Sequence, residues 1–431
     1  MFKVLSGRLM NHLTRSKAWG ATPTGPVELE TGSAVSPYAV ANLYDSKVAS
    51  PLVLAAAAFY RLGLSLNVLT NGDMEQGTTG WTASSASLDF DFTKFVQGSK
   101  SLTVTPSGAN GHGYQDATVR KGESSKLFWS LYGSGTSAAS IRVKNLFTGN
   151  WLRTDGSWGA EQALDSQTTA AWKTSSQVFA VEDDGARTSP SRSNLPEEMT
   201  VRVFLQGATS GQLHWFDEIL LVPGWDLLGL FGHNLPPSAI LDVGTNATYW
   251  HGGYGSLSSA LYAGHPTDAS ARTVAGPVAF HTLGALRYDP WIALSITLAT
   301  AAQTYLGELV VGQATSLSSN PEYPVAIEHQ EPNIRYRTSG GSVWAMPRGA
   351  YPTRKATLSF MYFTDAEYQQ ARERIYAASR GGAYPLVLVP TETDSDACIF
   401  GRIEDGTTFR RDSFSSRMAE FVVQEEAFPW L

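Results

Sequence analysis

The sequence predicts a mostly β protein built of several β-sandwich domains, the C-terminal one carrying one packed helix. Three observations predict it. Short runs along most of the 431 residues alternate apolar and polar side chains with period two, the mark of half-buried strands. Gly 40, Pro 21, Trp 12 and Tyr 17, with abundant Ser and Thr, suit many short strands joined by turns. A clear helical period of three and four residues stands near residue 370. The length itself suggests about three domains.

Residues 1–67 open with a polar stretch broken by Pro and Gly, then turn apolar from Ala39 to Leu66. The longest apolar run, Leu52 to Tyr60, stops at Arg61. It is far shorter than the ~20 residues that cross a membrane, so it reads as a buried strand or short helix. Residues 68–223 are rich in Gly, Ser and Thr. The alternation in Ser101–Thr105, Lys126–Tyr132 and Thr200–Leu205 predicts strands of a sandwich. Val181–Pro196, crowded with charge, Ser and Pro, reads as an exposed loop. Apolar runs return over residues 224–315, as in Leu227–Phe231 and Trp291–Leu298.

Residues 320–431 have another texture. Ala356, Leu358, Phe360 and Tyr362 alternate with Lys355, Thr357 and Ser359 as in a strand. Thr364 stands three residues before Glu367, the spacing of a capping box. Tyr368, Ala371, Ile375 and Ala378 then mark one helix face, and Gly381-Gly382 ends it. Leu386–Val389, Cys398–Ile403 and Met418–Gln424 complete the predicted strands.

Composition removes several functions. Hydrophobic residues make up 42%, enough for packed cores, while charged residues are only 16% and the net charge is −7. Nothing in that balance suits a phosphate backbone, so no nucleic-acid partner is expected. The single cysteine, Cys398, excludes an internal disulfide framework and a cysteine-ligated metal cluster, and is expected to be a buried thiol. The opening MFKVLSGRLMNHLTRSKAWG lacks the apolar core of a secretory signal, so a soluble chain made in a cytoplasm, without membrane insertion, is expected. Eight histidines lie scattered with no HExxH pair, against a zinc enzyme. No GxxxxGK[ST] loop and no G-x-S-x-G elbow occurs. Asp183-Asp184 and Glu425-Glu426 are chain neighbours, which in extended backbone point to opposite faces. The chain is therefore expected not to be an enzyme.

Residues 67–81, NVLTNGDMEQGTTGW, resemble the opening of family 4/9-type carbohydrate-binding modules, N-G-[DS]-F-E-x-G-x-x-G-W. Asn71, Gly72, Asp73, Glu75, Gly77, Gly80 and Trp81 match, with Met74 at the usual Phe. Leu213–Leu221, LHWFDEILL, resembles the closing strand of such modules, and Gly98–Leu102 looks like their second strand. The resemblance implies an inserted β-sandwich over residues 68–223 whose two ends meet, often around a structural calcium. Carried across, Glu75 and Asp217 become carboxylate ligands, joined by a carbonyl near Lys100. It also implies sugar stacking, with Trp81, Tyr114, Trp129, Trp151 and Trp158 as candidates.

The flanks resemble a second family. Residues 39–51, AVANLYDSKVASP, and 225–241, WDLLGLFGHNLPPSAIL, are similar to the two halves of a jelly-roll, galactose-binding-like (discoidin-type) sandwich found in tailed-phage structural proteins. Trp291, Ile296, Tyr305, Gly307, Glu308, Leu309 and Gly312 fit its closing strands. This implies a split domain, residues 1–67 and 224–315, with His233 and Asn234 capping a loop. Arg354–Pro390, within the tail-type sandwich of residues 320–431, resembles the strand–helix–strand pattern of tail-tube and distal-tail proteins. Together these resemblances imply a minor tail or baseplate protein of a phage virion. Its partners would be other tail proteins, copies of itself and a cell-surface glycan. The alternative is a bacterial carbohydrate-binding or adhesion protein.

Overall fold

A computed structural model of the chain describes residues 2–6, 27–31, 51–108, 110–181, 198–236, 239–246, 255–256, 278–317, 321, 326–330, 333–337, 343–347, 353–377, 379–389, 398–404, 406–411 and 417–426. The protein is mostly β, with antiparallel pairing in every sheet. The expected loop at Val181–Pro196 lies outside the described residues apart from Val181, and the stretch 39–51 apart from Pro51.

Between residues 68 and 223 two sheets pack face to face. The first has seven strands, in the order Trp158–Gly159, Trp151–Leu152, Ala139–Asn145, Glu198–Gly207, His112–Arg120 and Thr82–Ser84, with Asp165–Gln167 also pairing with Ala139–Asn145. The second has five: Trp172–Ala180, Ser124–Tyr132, His214–Pro223, Ser101–Pro106 and Ala86–Asp91. Strand period decides what each side chain meets. On Glu198–Gly207, Val201, Val203 and Leu205 are buried, while Thr200, Arg202 and Phe204 point the other way. Leu127, Trp129 and Leu131 of the five-stranded sheet join Val201, Val203 and Leu205 in one core.

A second core unites chain segments on both sides of this sandwich. Leu52–Ser65 is a strand, not a helix, and pairs with Trp291–Leu306 and Val27–Thr31. Trp225–Phe231 pairs with Val278–Arg287 and Glu308–Gly312. Leu54, Leu62 and Leu64 share a cluster with Trp225, Leu230, Trp291 and Leu309. The GHNL turn is pinned here: Asn234 Oδ1 accepts from Tyr305 N at 2.8 Å and its Nδ2 donates to Gln303 O at 3.2 Å.

An eight-stranded sheet closes the chain, ordered Thr315–Leu317, Phe2–Ser6, Leu386–Val389, Ile399–Ile403, Arg417–Glu425, Thr353–Phe363 and Ala326–Gln330, with Thr408–Arg411 beside Arg417–Glu425. Helix Asp365–Ala371 packs on it and continues as a π-helical turn, Arg372–Ala377. The capping box is present: Glu367 N donates to Thr364 Oγ1 at 3.2 Å and Thr364 N to Glu367 Oε2 at 3.0 Å. Phe2–Ser6, placed by the sequence in the split sandwich, instead pairs along Leu386–Val389. There it covers the edge that this buried apolar strand would otherwise expose.

This sandwich meets other parts of the chain through the five-stranded sheet and through the turn at residues 121–123. Phe128, Leu220 and Val222 of the five-stranded sheet pack into or against the cluster that holds Leu54, Trp225 and Trp291. Ser124 Oγ lies 2.7 Å from Tyr288 OH. Lys121 Nζ reaches Glu373 at 3.2 Å and Arg374 donates to Gly122 O at 3.2 Å. The outward face of the seven-stranded sheet lies on the opposite side of the sandwich core from Phe128, Leu220 and Val222. No helix among the described residues is long and apolar enough to cross a membrane.

Candidate functional site

The outward face of the seven-stranded sheet carries a row of aromatic and charged side chains fixed by strand register. Phe204 stands opposite Tyr114, Arg202 opposite both Asp116 and Lys144, and Lys144 opposite Trp151. The Phe204 ring centroid lies 5.2 Å from Trp151, 5.1 Å from His112 and 6.4 Å from Tyr114. Arg202 stretches over Tyr114, its Cζ 4.1 Å from the ring centroid. It donates to both oxygens of Asp116, at 2.6 and 2.8 Å. That fork locks the guanidinium over the ring and holds its pKa above the usual value. Lys144 Nζ sits 5.1 Å from the Trp151 centroid. All three aromatics are half-buried. The face thus offers flat apolar rings beside fixed donors and acceptors.

The five sequence candidates for stacking part company. Tyr114 and Trp151 lie on this face. Trp81 is 7% exposed and Trp129 3% exposed; both belong to the sandwich core and so cannot stack on a ligand. Trp81 Nε1 donates to Asn71 O at 3.4 Å and Trp129 Nε1 to Asp165 at 3.0 Å. Trp158 packs on Phe179 at 5.9 Å and donates to Ala180 O at 2.9 Å, at the rim of the core. Phe204, Arg202 and His112 were missed. Their signal was present: Arg202 and Phe204 are the alternate positions of a run read only for its strand period.

The motif at residues 71–81 builds a tight turn. Asn71 Oδ1 accepts from Gln76 N at 2.7 Å, and its Nδ2 donates to Gly77 O at 2.8 Å. Met74 fills the core where the resembling family carries Phe. Gly72 is required by contact, since a Cβ there would collide with the Ile219 carbonyl. Ile219 N donates to Gly72 O at 2.8 Å, which ties the turn to a bulge between Asp217 and Leu220.

The expected calcium ligands do not converge. Glu75 Oε1 accepts from Ser99 N at 2.7 Å and Lys100 N at 3.0 Å, and Oε2 from Ser99 Oγ at 2.7 Å. Asp217 Oδ2 accepts from Val96 N at 2.7 Å and Gln97 N at 3.2 Å, and Oδ1 from Glu218 N at 2.8 Å. The two carboxylates hold opposite ends of one loop, and their oxygens are taken up by N–H and O–H donors. Lys100 contributes its amide and an ammonium 2.9 Å from Glu75 O rather than a ligand carbonyl. These residues do not fit a cation as a set. Burial pushes the Asp217 carboxyl well above its usual range.

Asp73 differs from both. It is 8% exposed and its Oδ2 has no hydrogen-bond partner. Burial, then the charge of Glu75, pushes its pKa up to about 7. Burial, then the charge of Asp73, does the same to Glu218, also to about 7. Among the described residues no group of three or more His, Cys, Asp or Glu side chains is placed to hold a metal.

The fold and face define a multi-domain β-sandwich protein with an aromatic, charge-flanked platform on one sheet. No protein-family model matches the sequence, and no curated protein matches it. Among solved structures it is similar to the CBM22-1 xylan-binding domain of Paenibacillus barcinonensis Xyn10C, at 18% identity over 35% of this chain and 90% of that one (TM-score 0.26). A family 16 carbohydrate-binding module is similar at 16% identity over 36% and 99% (TM-score 0.27). The enzymatically active domain of tailspike protein 4 of bacteriophage CBA120 is similar at 13% identity over 36% and 21% (TM-score 0.25).

Proposed function

We propose that the protein binds glycans, without catalysis, on the outward face of the seven-stranded sheet. The observation that carries this reading is the Tyr114–Phe204–Trp151 row, with Arg202 and Asp116 locked beside it. A pyranose presents an apolar C–H face and a rim of hydroxyls. Half-buried aromatic planes match the first, and a fixed guanidinium–carboxylate pair the second. The binding reading over hydrolysis is supported by Asp116 itself, whose two oxygens are both engaged by Arg202. Titrating the full chain with a panel of soluble polysaccharides tests it. At least one should bind saturably, and Trp151→Ala or Phe204→Ala should weaken it tenfold or more, as buried aromatic anchors do. Binding unchanged in both variants would remove the face from consideration.

A second reading concerns where such a face is carried. It is supported by the packing of Phe128, Leu220 and Val222, on the opposite side of the sandwich core from the platform, against the cluster around Trp225 and Trp291. Sheet-end strands Thr315–Leu317 and Ala326–Gln330 would serve lateral contacts between subunits. On this reading the chain is a minor tail or baseplate component of a phage virion, joined to other tail proteins and copies of itself. The alternative, a bacterial carbohydrate-binding or adhesion protein, uses the same face. Deleting residues 320–431 should remove the protein from purified virions, and its presence there regardless would dismiss the assembly role.

A further inference from the structure

The geometry points to a uronic-acid polysaccharide as the occupant of the platform, its carboxylates taken by Lys144 and Arg153 on either side of Trp151. This inference rests on the glycan-binding reading and adds the chemical class. Strand register places the three residues. Trp151 pairs with Lys144 on one side and with Gly159 on the other. Arg153 N donates to Ser157 O at 2.8 Å and so continues the pairing. Leu152 is buried, and the alternation returns Arg153 to the face of Trp151. The Arg153 stem lies over Gly159, where a Cβ would stand 3.4 Å from Arg153 Cδ.

Both cations lack a counter-charge. Of the neighbouring arginines, Arg202 is held by Asp116 and Arg142 by Glu161. Lys144 Nζ sits against the Trp151 ring, 5.1 Å from its centroid. Among the described residues neither this ammonium nor the Arg153 guanidinium has a hydrogen-bond or ion-pair partner. Asp155, in the turn beyond, directs its Oδ1 to Ser157 N and Oγ at 2.9 and 2.5 Å. Lys144 also stands opposite Arg202, and like charges in register repel. A chain of net charge −7 thus sets two uncompensated positive charges about one ring.

The sugar chemistry follows from the ring. A pyranose stacked on an indole turns its C–H face down and its C5 substituent outward at the ring edge. In a hexuronic acid that substituent is a carboxylate. An ammonium meets it as a point charge, and a guanidinium with two parallel N–H donors. A neutral hexose carries a hydroxymethyl group there. It would cover both cations without offering a charge, at a cost in desolvation.

The test is calorimetric titration of the full chain with polygalacturonate, alginate and hyaluronate, each beside its carboxyl-reduced form. Dextran sulfate supplies charge without a uronate. At least one uronate polymer should bind saturably, about tenfold or more tighter than its reduced form and than dextran sulfate, and less tightly as salt rises. Lys144→Gln and Arg153→Gln should each weaken it about fivefold or more, with melting curves like that of the wild type. Preference for the reduced forms, equal binding of dextran sulfate, or uronate binding untouched in both cation variants overturns the acidic class. In any of those cases the glycan reading still stands if Trp151→Ala weakens the binding that is seen. Absence of binding to every polymer, reduced forms included, overturns both.

Discussion

Val203 and Phe204 are chain neighbours with opposite environments, one in the core and one on the platform. That phase was legible for Trp129, which falls in step with Leu127 and Leu131 and so points inward with them. It was equally legible for Tyr114, out of step with Ala117 and Val119 on its own strand. Residue type alone hid it, because an indole suits either face. Asp91 shows what local bonding adds. Burial works to raise its carboxyl, but Thr93 Oγ1 and N at 2.6 Å, Trp215 Nε1 at 2.8 Å and Lys94 N outweigh it and bring the pKa down to about 2. A depressed folded-state pKa gives stability that is present above the unfolded value near 4 and lost as pH falls toward 2. Asp91→Asn should therefore lower the urea midpoint at neutral pH and flatten its decline between pH 4 and 2. An unaltered acid profile would show that these bonds contribute nothing. Cys398 is fully buried, and burial pushes its thiol up to about 12. It should not react with a disulfide reagent at pH 8 until the protein unfolds.

At the level of elements, the capping box was legible because its two partners are fixed in sequence, and Thr364→Ala should cost about 1 kcal/mol. The change from α- to π-helical geometry at Arg372 was not, since spacings of three and four accommodate both. The loop at residues 92–100 was also hidden from pattern reading, and Gly98–Lys100, expected to open the second strand, belong to it. Its shape comes from Glu75 and Asp217, each distant in sequence, gripping its amides from either end. Gly98 is its strained point: φ is 70°, and a Cβ would collide with Glu75 Oε1. Gly98→Ala should destabilise the sandwich by roughly 1–3 kcal/mol, read as a lower urea midpoint. A midpoint equal to wild type would mean that the loop relaxes freely and the grip is weak.

Across the whole molecule, sequence texture separates the zones, but chain-end pairing lies beyond it. Phe2–Ser6 meets Leu386–Val389 across almost the full chain, and no local period records such a partner. The orientation of the sandwich between residues 68 and 223 likewise depends on non-local contacts, Phe128 on the cluster around Trp225 and Trp291 and Lys121 on Glu373. Those contacts gather at the end of the sandwich that carries Phe128 and the turn at residues 121–123, whereas the proposed working face lies on the seven-stranded sheet. The most direct measurement of that division is amide hydrogen exchange of the full chain, with and without a saturating bound polysaccharide. Glycan binding on the platform should slow exchange in residues 112–118, 139–145 and 198–207, and leave residues 124–132 and 172–180 unchanged. Protection confined to the five-stranded sheet, or to the other domains, would contradict the account.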